Sequence, residues 1–130
     1  MATDVLIAED EPAILDSLEF ILRRAGFSVA SVTDGSAALD EIRRLHPKVV
    51  VLDVMLPRQS GFEVLKQIRA DRALSPLPVL MLTAKGQQQD KRIAEELGAD
   101  AFVTKPYANA DVVQSVQSLI ARLGTELPSG

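Results

Sequence analysis

The chain has 130 residues, 47% of them hydrophobic and 25% charged, which is the size and balance of one globular domain with its own core. It has no cysteine, which excludes disulfides and thiolate metal sites, and its net charge of −4 without a visible basic patch argues against direct nucleic-acid binding by this segment. No apolar run approaches the roughly 20 residues of a membrane-spanning helix, and the N-terminus lacks a positive region followed by an apolar one, so the expectation is a soluble, cytoplasmic protein with no membrane contact.

Val5-Leu-Ile-Ala8 is a short apolar run and predicts a first strand. Residues from about 12 to 25 follow with helical spacing at Ile14, Leu18, Ile21 and Leu22, and Gly26 stops that helix. Residues 28–33 alternate apolar and polar and read as a second strand. Asp34-Gly-Ser36 opens a helix carrying Ala37, Ala38, Leu39, Ile42 and Leu45, which Pro47 ends. Val49-Val-Val-Leu52 is a third, wholly apolar strand. The loop 57–61 leads into a helix with Phe62, Val64, Leu65 and Ile68. Pro78-Val-Leu-Met-Leu82 predicts the fourth strand, residues about 87–97 a polar helix ended by Gly98, and Asp100-Ala-Phe-Val-Thr104 the fifth strand. A last helix of about 109–123 presents Val112, Val116 and Leu119. One domain therefore covers 1–123, and residues 124–130 read as a tail or the start of a linker.

Strands alternating with helices imply a parallel sheet with helices on both faces. The first, third and fourth runs are continuously apolar and belong in the centre, while the second, with its polar residues, suits an edge. The expected fold class is α/β, a doubly wound (βα)5 sandwich with a five-stranded parallel sheet in the order 2-1-3-4-5, flavodoxin-like.

In such a sheet, ligands bind beyond the carboxyl ends of the strands. Those ends carry Glu9-Asp10-Glu11, Asp53, Thr83-Ala84 and Lys105-Pro106. Taken singly, Asp10 or Glu11 reads equally well as a first-turn carboxylate beside Pro12, Thr83 as a strand-end residue and Lys105 as a solvated charge. Asp53 is harder to set aside, because it follows four apolar residues where an unpaired charge is costly. Carboxylates crowded together repel unless a cation sits among them, and Lys105 brings one positive charge. A hard, oxygen-binding ion such as Mg²⁺ suits this set. Asp53 then has the chemistry of a carboxylate nucleophile toward phosphorus, with Lys105 to neutralise phosphoryl oxygens and the Thr83 hydroxyl and Ala84 N–H to donate to them.

The stretches Val5-Leu-Ile-Ala-Glu-Asp-Glu-Pro12, Val50-Val-Leu-Asp-Val-Met-Leu-Pro57, Val79-Leu-Met-Leu-Thr-Ala-Lys85 and Gly98-Ala-Asp-Ala-Phe-Val-Thr-Lys-Pro106 resemble the bacterial response-regulator receiver family of two-component signalling. The resemblance covers residues about 3 to 123. It implies Asp53 as phosphoacceptor, with Asp10 as a direct Mg²⁺ ligand, Glu9 acting through water and the Met55 carbonyl as a further ligand. It implies Thr83 as a switch hydroxyl, Phe102 as the aromatic switch residue, and Lys105 as a phosphoryl contact preceding a cis bond to Pro106. It also implies a sensor histidine kinase or phosphotransfer protein as donor, and an output domain or partner protein as target. The molecule would be a monomer or a phosphorylation-dependent dimer.

The sequence departs from the family pattern in a few places. Glu9 stands where Asp is commoner, Arg58 and Ser60 replace the usual Gly and Asp, and Phe102 replaces Tyr. Met55 and Lys85 flank the acceptor and are expected to influence hydrolysis of the phosphoryl group. Met55 also stands where an aspartate-nucleophile phosphatase has its second Asp, so the expectation is a switch that acts on itself, not an enzyme for exogenous esters. The acidic Glu9-Asp-Glu-Pro12 does not suit the phosphate-cradling loop of a flavodoxin-like cofactor binder. The sole histidine, His46, is expected near the end of the second helix, away from the strand ends.

Overall fold

A computed structural model describes residues 2–84 and 88–126. Among the described residues, five strands alternate with five helices. In chain order they are β1 (Val5–Ala8), α1 (Pro12–Arg24), β2 (Val29–Val32), α2 (Gly35–Leu45), β3 (Val49–Asp53), α3 (Gly61–Ala70), β4 (Val79–Thr83), α4 (Gln88–Glu96), β5 (Ala101–Thr104) and α5 (Asn109–Glu126). The strands form one parallel sheet in the order β2-β1-β3-β4-β5, as the apolar content of each run implies. Every residue of β1, β3 and β4 is buried, whereas β2 and β5 at the two edges are mostly half-buried.

Alternation along the central strands sends side chains to two separate cores. Leu6, Val50, Leu52 and Met81 pack with Ile42 of α2, Val64, Leu65 and Ile68 of α3 and Ala94 of α4. Val5, Ile7, Val49, Val51, Leu80 and Leu82 pack with Leu18 and Leu22 of α1 and Val112, Val116 and Leu119 of α5. This two-sided burial is why the central strands are continuous apolar runs.

The helix ends follow local sequence. Pro12 occupies the first turn of α1, where its missing N–H costs nothing. The Asp34 carboxylate caps α2 by accepting the Ala37 N–H at 2.9 Å, and His46 closes that helix in the left-handed conformation, φ 49°. Ser60 and Glu63 form a reciprocal capping box on α3. Helix α5 continues to Glu126, past the end expected near 123. A single glycine such as Gly124 costs about 1 kcal/mol in a helix and does not by itself stop one. Residues 127–130 of the expected tail lie outside the described residues.

At the amino-terminal ends of β4 and β5, Arg69 of α3 ties several segments together. Its guanidinium donates to the carbonyls of Gly98, Ser75 and Leu77 at 2.7–2.9 Å and to the Asp100 carboxylate at 2.9 Å. The same Asp100 oxygen accepts the Val79 N–H at 2.8 Å. This pole of the sheet is opposite to the one where the strand-end carboxylates gather.

Candidate functional site

Glu9 leaves β1 with its N–H bonded to the Val32 carbonyl of β2, and its side chain turns inward, fully buried. One Glu9 oxygen accepts the Glu11 N–H at 3.1 Å as the chain turns into α1. Asp10, between them, stays exposed. Asp53 is the last residue of β3 and is only 3% exposed. Its Oδ1 accepts the Met55 N–H at 3.0 Å, and its Oδ2 lies 2.6 Å from the Lys105 ammonium. Lys105 also reaches Glu9 at 3.1 Å. Its main-chain N–H donates to the Thr83 carbonyl at 2.7 Å, which fixes the end of β5 against the end of β4. The bond from Lys105 to Pro106 is cis, as expected.

Oxygens of Glu9, Asp10 and Asp53 lie within 4.8 Å of one another. Burial pushes the Glu9 carboxyl up to about 7, and the neighbouring Asp53 adds to the effect. Lys105 is closer to Asp53 than to Glu9, so it offsets this only in part. Burial alone lowers the Lys105 pKa, but the two carboxylates outweigh it and hold the ammonium above its usual range. Tyr107, half-buried nearby, is raised by burial and by the Glu9 charge. Among the described residues no buried side-chain polar atom lacks a partner. Three carboxylates against one ammonium suit a hard divalent cation with oxygen ligands.

The model of the response regulator receiver domain matches residues 5–117. The chain belongs to this family. It is 45% identical over 124 residues to the sensory transduction protein RegX3 of Mycobacterium tuberculosis H37Rv, a match covering 95% of this chain and 53% of RegX3. It is 39% identical over 129 residues to the alkaline phosphatase synthesis transcriptional regulatory protein PhoP of Bacillus subtilis, covering 99% of this chain and 53% of that protein. The chain thus spans about half the length of the curated relatives it matches. Among solved structures it is similar to the receiver domain of the sensor histidine kinase PA1611 of Pseudomonas aeruginosa PAO1. The TM-score is 0.85 and the identity 27%, covering 93% of this chain and 99% of that one; that structure has a magnesium ion coordinated in its active-site cleft.

In this receiver domain Glu9, Asp10, Asp53 and Lys105 come together as their strand ends suggest. Thr83 is fully buried at the end of β4, and its hydroxyl lies 3.4 Å from that of Thr104, its register partner on β5. Ala84 follows at the surface. Phe102 is half-buried on β5, packed against the α2–α3–α4 core, with the Lys91 ammonium of α4 5.6 Å from its ring centre. Met55 is 73% exposed in the loop after Asp53. Lys85 lies outside the described residues. Sequence reasoning missed Thr104 and Tyr107. For Thr104 the signal is the β4–β5 register, and for Tyr107 it is the position two residues beyond Lys105.

Proposed function

We propose that this receiver domain is a phosphorylation switch that takes a phosphoryl group onto Asp53 from a phosphohistidine of a sensor histidine kinase or phosphotransfer protein. The observation that carries this reading is the buried Asp53 carboxylate paired with Lys105 inside the cluster with Glu9 and Asp10. Asp10, Asp53 and the Met55 carbonyl would hold Mg²⁺, with Glu9 behind them. Bound there, the ion would neutralise phosphoryl oxygens and keep the carboxylates from repelling. A carboxylate oxygen of Asp53 attacks phosphorus in line, an O–P bond forms, and the P–N bond to the donor imidazole breaks. Lys105 moves from the free carboxylate to the transferred group and holds its oxygens. The Ala84 N–H and the Thr83 hydroxyl donate to the remaining oxygens.

For the Thr83 hydroxyl to do so, it must leave Thr104, and Phe102 then turns toward the space it vacates. The β4–α4–β5 surface shifts toward an active arrangement already present at low population, and an output domain or partner protein reads that surface. Met55 offers no acid–base group two residues after Asp53, so the domain catalyses its own phosphorylation and slow dephosphorylation and not the turnover of exogenous phosphate esters.

Incubation with acetyl phosphate and Mg²⁺ is expected to add one phosphoryl group by intact-protein mass spectrometry, and Asp53→Asn to add none. An adduct that persists in Asp53→Asn rules out Asp53 as acceptor.

A further inference from the structure

The loop between β3 and α3, residues 54–60, contains Met55 and is built under strain. Arg58 holds φ at 71°, in the left-handed region that non-glycine residues rarely adopt. The Gln59 N–H donates to the Pro57 carbonyl at 2.8 Å, closing a three-residue turn around Arg58. Positive-φ turns of this size are rare and strained. They persist where the surroundings over-determine them, commonly at functional sites.

Here the constraint comes from α2. The Gly35 N–H donates to the same Pro57 carbonyl at 3.1 Å. The approach is so close that a Cβ on Gly35 would lie 1.9 Å from the Gln59 carbonyl oxygen. Glycine is required there for space. The Asp34 carboxylate, already capping α2, also faces the Arg58 guanidinium at 3.6 Å. At the base of the loop, the Gly61 N–H donates to the Val54 carbonyl at 3.0 Å, and a Cβ on Gly61 would lie 2.3 Å from the Asp53 carbonyl oxygen. The loop is therefore pinned at its base to Asp53 and at its tip to the first turn of α2.

We propose that the N-terminus of α2 is a clasp on this loop, with Gly35 a positioning residue that holds Met55 beside Asp53 in the arrangement a divalent cation requires. This rests on the cation site proposed above. By linkage, a contact that favours the cation-binding arrangement is itself strengthened by the cation.

Mg²⁺ titration calorimetry on the wild type, Gly35→Ala and Gly26→Ala tests the clasp. Gly26 also has a positive φ, 100°, but a Cβ there meets nothing within 4 Å, so alanine strains the backbone without touching the loop. Gly35→Ala is expected to bind Mg²⁺ about fivefold more weakly or worse, while Gly26→Ala loses stability and binds as the wild type does. A folded Gly35→Ala with wild-type affinity overturns the clasp. A second measurement needs no variant. In the wild type, Mg²⁺ is expected to slow hydrogen exchange of the Gly35 amide about fivefold or more and to leave the Gly26 amide, bonded to the Arg23 carbonyl, unchanged. Unaltered exchange at Gly35 in Mg²⁺-saturated protein overturns the clasp, and this result alone decides if Gly35→Ala does not fold. A wild type that binds no Mg²⁺ overturns the cation site and the clasp together, whereas Mg²⁺ binding with an indifferent Gly35 overturns the clasp alone.

Discussion

Glu9 is the site residue on which burial weighs most. Its carboxyl sits at about 7 in the fold against 4.5 in an open chain, because burial disfavours its charge. Between those values the folded protein binds the proton that the unfolded chain has released, so folding is progressively opposed as pH rises through the interval. The urea midpoint of metal-free protein is therefore expected to fall from about pH 4.5 to about pH 7, and Glu9→Gln to flatten that stretch. Under the cation site proposed above, a nearby Mg²⁺ would favour the ionised Glu9 carboxylate, so its affinity should rise across pH 7; calorimetry one unit either side of that value reads it. A midpoint that climbs through this range would contradict the burial of Glu9. The site's acids and its lysine were legible because each strand of a parallel sheet delivers one residue to a common edge. Thr104 was not, because its meeting with Thr83 depends on strand register, which the apolar pattern of β4 and β5 leaves open.

Helix ends were legible where a side chain signals them and less so where the partner is a distant carbonyl. Ser60, a departure from the family's usual loop, has a local role as the cap of α3. Ser60→Ala is expected to cost about 1 kcal/mol in urea denaturation. Arg69 carries no motif in the sequence, yet it joins α3 to the entrances of β4 and β5. Three of its acceptors are main-chain oxygens, which no residue type announces. Arg69→Met should cost about 2–4 kcal/mol, since it takes the guanidinium donor from three main-chain carbonyls at once and one of the donors from Asp100. Arg43→Met, which removes an exposed pair with Asp71, should cost about 0–1 kcal/mol. Equal losses would mean that the Arg69 junction adds nothing beyond a surface pair.

At the scale of the molecule, the two cores share β1, β3 and β4, so neither can melt without exposing the back of the other. Leu65→Ala in one core and Leu22→Ala in the other should each cost about 2–5 kcal/mol and shift one common transition. The chain has a single tyrosine and no tryptophan, so Tyr107 fluorescence reports the site while far-UV circular dichroism reports the helices on both faces. Coincident curves are expected, and separated ones would show that the faces unfold independently. The architecture was readable because continuous apolar runs mark strands covered on both sides. The exit of α5 was not, since a glycine weakens a helix without ending it.

Lys105 reaches both buried carboxylates, and that bridge makes the site a matter of exchange more than of accumulation. One ammonium offsets at most one of the three acids' charges, so a divalent ion in its place would offset more. The lysine is thus a resident stand-in. It ties the ends of β1, β3 and β5 together, and under the switch proposed above a divalent ion among the carboxylates would free the ammonium for an incoming anion.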